Sequence, residues 1–430
     1  MLIVYTIGYF LSLLFYHLKQ NFVASVIMIS LALFLYLLEY RKNKRIINVV
    51  GLFAIGFIGG FGLSLLKLSA LSSDFSFKTI IVVYVSFFSL YLGSYYTRNK
   101  GNVIFVICDK IKTVNLPFAL ICITLISFFI EVYILKFIPL FTKDTPHAYS
   151  TFHVFMIHYI TSLYILIPSV AIVNYHMQEK KSKVPIIVSY LYVVILAMLM
   201  VSRNQLIMSL VLSLFIYLIY NKENVLKILK NKKVIVASSL TFVALILIYV
   251  VITINRAHSV DYLNGIFEMK SKKIPIFITQ PYMYIAHNFE NLNYMINNIE
   301  GFGYGRRCLM PLLTLSFVKR FFPVISIAPL YVIKEELSTL TIIYDFYYDF
   351  GIIGVIVFCF IIGAIGKVLE NYIYNMIAEK RETYLTILFS LICFYMVFSF
   401  FQTYFSLTET YIYILSIIFF EGVFIVKNSK

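Results

Sequence analysis

Long uninterrupted apolar runs dominate this chain. A run of about 20 apolar residues is what an α-helix needs to cross a bilayer core of about 30 Å. Twelve such runs, at approximately 2–17, 21–39, 46–66, 79–96, 115–135, 152–174, 184–202, 204–220, 234–254, 348–368, 384–402 and 409–426, predict about twelve transmembrane helices. Hydrocarbon offers no hydrogen-bond partner, so each spanning segment must satisfy its own backbone. The expected fold is therefore all-α, a polytopic helical bundle in a membrane. Composition excludes the alternatives: only 13% of the 430 residues are charged and 61% are hydrophobic. A soluble domain carries about 25% charged residues to cover its surface. The first run lacks a basic n-region and a small-residue cleavage site, which predicts a retained helix.

Lysine and arginine placement predicts the orientation. Alternate short loops are rich in positive charge, as in Arg41, Lys42, Lys44 and Arg45, or Lys222, Lys227, Lys230, Lys232 and Lys233. The opposite short loops hold only Lys19, Lys67, Lys78, Lys136, Lys143 and Arg203. The positive-inside rule then places both termini in the cytoplasm. Three parts follow: helices one to nine over 1–254, a large extracytoplasmic loop over 255–347, and helices ten to twelve over 348–430. The loop's aromatic and aliphatic content predicts folded structure, with short helices at 274–289 and 311–322 on or partly in the outer interface. The net charge of +16 would suggest nucleic acid for a soluble domain. In a membrane it points instead to anionic lipid or a polyanionic substrate. The five cysteines form no metal or disulfide spacing, and neither a cofactor nor a metal site is expected.

Candidate chemistry collects on the outer side, and each candidate has two readings. Arg203, in Ser202-Arg203-Asn204-Gln205 between two helices, either snorkels to headgroups or clamps a phosphate. Its place against the positive-inside bias favours the clamp. Arg256 and His258 follow the ninth helix, as a polar terminus or as an anion-binding cation beside an imidazole base; His147, His153 and His287 are further outer imidazoles. Gly301-Phe302-Gly303-Tyr304-Gly305-Arg306-Arg307 is either a turn with solvated arginines or a nest of backbone N–H groups for an anion. Asp345 and Asp349, four apart at the tenth helix, either cap it or serve glycan binding, base catalysis or metal binding. Gly351, Gly354, Gly363 and Gly366 form a stripe best read as close helix packing. Within the apolar runs, Glu131 is the clearest ionisable group, with Glu421 near an inner end.

The order of these features resembles the Wzy-type oligosaccharide repeat-unit polymerases, the O-antigen and capsule polymerases of bacterial inner membranes. Three strings carry the resemblance: Ser202-Arg203-Asn204, residues 301–307, and Tyr347-Tyr348-Asp349-Phe350-Gly351-Ile352-Ile353-Gly354, which is similar to the family's aromatic-Asp-Phe-Gly-x-x-Gly pattern. The resemblance implies transfer of a growing glycan from undecaprenyl diphosphate onto a new lipid-linked repeat unit, at the outer face of the membrane. It also implies a flippase and a chain-length regulator as partners, and no nucleic acid. On that implication Arg203 and Arg256, then Arg306 and Arg307, would neutralise the diphosphate. His258 or Asp349 would act as base, and Asp345, Tyr304 and Tyr348 would meet the glycan. An O-antigen ligase is the nearest alternative, differing in its acceptor. A polysaccharide flippase or exporter would need charge inside the membrane and no folded outer loop.

Overall fold

The computed structural model describes residues 1–98, 116–142, 151–178, 182–221, 260–271, 273–321, 328–379 and 381–423. All regular elements among them are helical, and the one β-bridge joins Ser69 to Met269. Eleven of the twelve apolar runs contain helix, and the run at 234–254 lies outside the described residues. Six helices are long and apolar enough to cross a membrane.

The helices are α1 (Leu2–His17), α2 (Asn21–Asn43), α3 (Val49–Ser64), α4 (Phe77–Tyr96), α5 (Leu116–Leu135), α6 (Ile157–Met177), α7 (Val184–Leu199) and α8 (Arg203–Tyr220). They continue with α9 (Val260–Phe267), α10 (Ile276–Asn298), α11 (Met310–Leu315), α12 (Val318–Phe321), α13 (Tyr344–Ala378), α14 (Leu385–Val397) and α15 (Thr408–Val423). They divide into two units. One comprises Met1–Val103, Val260–Tyr372 and Ile392–Tyr411; the other comprises Ile104–Ser259, Ile373–Leu391 and Ile412–Lys430.

In the first unit, small residues let backbones touch. A methyl group on Gly93 would overlap the Phe360 carbonyl, and one on Gly363 would overlap the Leu90 carbonyl, so α4 and α13 cross glycine to backbone. Gly366 lies against Val49. This is the packing expected of the stripe for Gly363 and Gly366. Gly351 and Gly354 have a different job, described below. Gly93→Leu or Gly363→Leu should drive the two helices apart and leave little folded protein, read as a lost monodisperse peak on size exclusion in detergent. Alanine at both positions should be harmful as well, because the obstructing atoms are backbone.

The segment following α9 is more deeply packed than an interfacial helix. α10 runs nine residues beyond the expected 289, to Asn298, and lays Phe289 against Phe57 and Phe61 of α3 at 5.3 and 5.6 Å. Its buried face sets asparagines among apolar residues such as Met283, Leu292 and Met295, and each of the buried asparagines has partners. Asn288 donates to Phe400 O and accepts from Thr339 Oγ1; Asn291 donates to Leu337 O and accepts from Ile333 N–H. Asn293 accepts from Ser76 N–H and Thr79 Oγ1. The neighbouring segments have no helix or sheet to satisfy their peptide groups, and these side chains supply the missing partners. That is why asparagines stand among the apolar residues of its buried face.

One ion pair ties α10 to the end of α3. Lys67 Nζ lies 2.5 Å from Glu290 Oε1 and 3.2 Å from the Phe75 ring centroid, and Ser73 N–H donates to Glu290 Oε2 at 3.1 Å. Burial pulls the Lys67 ammonium down to about 8 despite its partner, and burial raises the Glu290 carboxyl. Desolvation therefore outweighs the attraction for both partners.

Candidate functional site

Two of the strings singled out in the sequence meet in the first unit, and a broken helix joins them. At Gly351 the backbone turns to φ 60° and ψ −151°, interrupting α13 after Phe350. Such a break strips the preceding carbonyls of their usual donors four residues on. The glycine turn at 301–307 replaces those donors: Gly303 N–H donates to Tyr348 O at 2.9 Å and Tyr304 N–H to Asp349 O at 3.0 Å. Only glycine fits under this seam. A methyl group on Gly303 would overlap Asp349 Oδ1 and the Tyr348 ring. Gly351 sits beneath the Phe302 ring and adopts a positive φ disfavoured for side-chain-bearing residues, while Gly354 faces the Phe346 carbonyl.

The Asp349 carboxylate completes the seam. It is fully buried and accepts from Arg307 N–H at 3.1 Å and Cys308 N–H at 2.7 Å. The turn does form a nest of N–H groups, as its glycines suggest, and the anion in it is the chain's own Asp349. Burial first, then the Asp349 charge, pushes the Cys308 thiol up, away from thiolate chemistry.

The two arginines part company. Arg307 turns inward: Nη1 donates to Asp345 Oδ1 at 3.1 Å, Nη2 donates to Pro329 O at 2.8 Å, and the guanidinium lies over the Tyr348 ring at 4.8 Å. Its Nε is buried without a partner. Asp345 is buried too and is flanked by Thr403 and Ser406. The Tyr344 hydroxyl receives Tyr331 N–H and donates to Tyr331 O, both at 2.9 Å, holding the segment that crosses above Arg307. Arg306 is exposed and carries no ion pair among the described residues, and Tyr304 beside it is 78% exposed. Tyr348 is buried.

Of the nine candidate residues, Tyr304, Arg306, Arg307, Asp345, Tyr348 and Asp349 thus belong to one assembly. Arg203 opens α8 in the second unit, where it is only 8% exposed. The backbone before it is tightly turned, with Val201 at φ 53°, and Gln205 accepts from the Tyr164 hydroxyl at 2.9 Å. Arg256 and His258, with His147, lie outside the described residues. His287 is buried on α10, and burial lowers its pKa to about 4, too low for an efficient base at neutral pH. Sequence reasoning passed over His158, whose ring pairs with Glu131 in the second unit. The signal was a lone histidine at an apolar helix start, which by itself says nothing.

Neither a curated protein nor a solved structure matches the chain. The O-antigen polymerase family model matches residues 19–390, a span that takes in Arg203, the glycine turn and the broken helix alike. With its helical membrane architecture and this match, the chain belongs to the O-antigen polymerase family.

Proposed function

We propose that the protein joins undecaprenyl-diphosphate-linked oligosaccharide repeat units into O-antigen or capsular polysaccharide at the outer face of the bacterial inner membrane, with both termini in the cytoplasm. The reaction is a glycosyl transfer in which arginines, and no metal, neutralise the departing lipid diphosphate. The observation that carries this reading is the division of labour in the arginine pair. Arg307 is spent on Asp345 and the seam, and Arg306 is left exposed on a turn whose backbone the seam bonds hold. An exposed guanidinium offers the planar fork of donors that a diphosphate leaving group takes. Tyr304 beside it offers an exposed ring for a sugar face.

Arg203 supports the same reading. α7 and α8 have 16 and 18 residues, so they rise only about 24 and 27 Å and bring their junction short of a 30 Å core. The Arg203 guanidinium offers the planar fork of donors that a phosphate takes. Arg306 in the first unit and, separately, Arg203 in the second are each proposed as a diphosphate ligand, and Arg256 is a further candidate cation. Arg307, Asp345, Tyr348 and Asp349 are positioning residues that hold the turn.

The test is reconstitution: the purified chain in liposomes with the cognate lipid-diphosphate oligosaccharide as the single substrate. A ladder spaced by one repeat, still bearing lipid diphosphate, is expected. Product only after adding a different terminal acceptor would indicate a ligase, and leaflet transfer without new bonds a flippase. Arg203→Ala and Arg306→Ala should each lower the rate at least about 100-fold, the scale of losing one preorganised donor. Wild-type ladder lengths in either variant would remove that residue from the site.

A further inference from the structure

The second unit holds a buried carboxylate–imidazole pair that no role above uses. Glu131 lies one turn before the end of α5 and is fully buried. Its Oε1 accepts from Val154 N–H at 3.2 Å and sits 3.0 Å from His158 Nδ1, on the first turn of α6. Its Oε2 has no hydrogen-bond partner among the described residues, although an ionised carboxylate in apolar surroundings ordinarily collects as many as it can. The His158 side chain is 15% exposed, and no described group bonds its Nε2. His153 packs edge-on against it, with ring centroids 4.9 Å apart. Met156, just before α6, holds φ 65°, a conformation rare for a residue with a side chain.

A pair kept only to fasten α5 to α6 would be replaced to advantage by two packed apolar residues. The arrangement has instead the form of a base and its orienter. A carboxylate on Nδ1 fixes the hydrogen there and leaves the Nε2 lone pair outward, and it stabilises the imidazolium that forms on proton uptake. Both residues sit at the end of their helices remote from the lysine-rich loops, where the polymerase reading puts the chemistry. The same unit carries Arg203: the Tyr164 hydroxyl that donates to Gln205 stands six residues along the helix from His158.

We propose that His158 is the general base that activates the acceptor sugar hydroxyl, with Glu131 as its positioning residue; this rests on the polymerase reading. Nε2 takes the hydroxyl proton as that oxygen's electron pair forms the new bond to the donor's anomeric carbon. The anomeric carbon–oxygen bond to phosphate breaks, its pair leaves on the lipid diphosphate, and the imidazolium later releases its proton to water. Among the described residues, the titratable groups facing the ring are Glu131 from α5 and His153 from its own segment.

The test is steady-state polymerisation by the full chain in liposomes, comparing wild type, His158→Gln and Glu131→Gln. His158→Gln should lose at least about 100-fold in kcat with KM within a few-fold, and should lose the acid limb of the wild-type rate profile. Glu131→Gln should lose at least about 10-fold. A wild-type kcat in His158→Gln overturns the proposal and leaves the polymerase standing. So does a loss confined to KM or to folded yield, which marks the pair as structural. Absence of any ladder from the folded wild type with intact substrate overturns the polymerase reading, and the base with it.

Discussion

Asp349→Ala should abolish the polymer ladder, and it should do so by releasing the glycine turn. The carboxylate holds two backbone N–H groups in a water-excluded place, and charge-assisted bonds of this kind contribute about 1.5–3 kcal/mol each. Without them the N–H groups of Arg307 and Cys308 are buried and unpaired, so the local structure should weaken by roughly 2–4 kcal/mol. The backbone carrying Arg306 would then lose its anchor, and activity should fall at least about 100-fold, as misplacement by an ångström can do. Asp349→Asn should be intermediate, because its amide oxygen still accepts while its amine confronts a donor. Limited proteolysis near 301–309, run beside the ladder assay, separates the causes. A protected turn with no ladder would point to direct catalysis by Asp349, and a full ladder in Asp349→Ala would show that the seam is dispensable.

Breaking the Lys67–Glu290 pair should have the other large effect, and removing it whole should have a small one. Lys67→Met leaves Glu290 buried with one N–H partner, and Glu290→Gln leaves an ammonium against aromatic rings. Either should cost about 3–5 kcal/mol, since one partner of a buried pair is stranded in each case. The double variant Lys67→Met/Glu290→Leu should return to within about 1 kcal/mol of wild type, because apolar packing replaces two ions that burial already disfavours. Thermal unfolding in detergent measures all three. Additive losses in the double variant would mean that the two side chains do not act as a pair.

Some of this was legible in the residues alone. The helical class follows from the length of the apolar runs, because hydrocarbon leaves a backbone no alternative. Residues 301–307 stood out for their alternating glycines, and 347–354 for their similarity to the aromatic-Asp-Phe-Gly-x-x-Gly pattern. Their partnership was not legible: nothing in either string says that a break at Gly351 frees carbonyls for Gly303 and Tyr304. The same limit hid the depth of α10, because nothing in its asparagines names the peptide groups of 333–339 that they serve.

The sequence by itself determined that this chain lives in a membrane as helices. Tertiary structure alone decided which charges are spent and which remain. Asp349 went to the nest and Asp345 to Arg307, leaving Arg306 exposed, while Glu131 acquired an imidazole from a separate helix. The reason is physical. Apolar periodicity acts within a segment and can be read there, whereas the state of a charge depends on what the fold brings within about 4 Å of it.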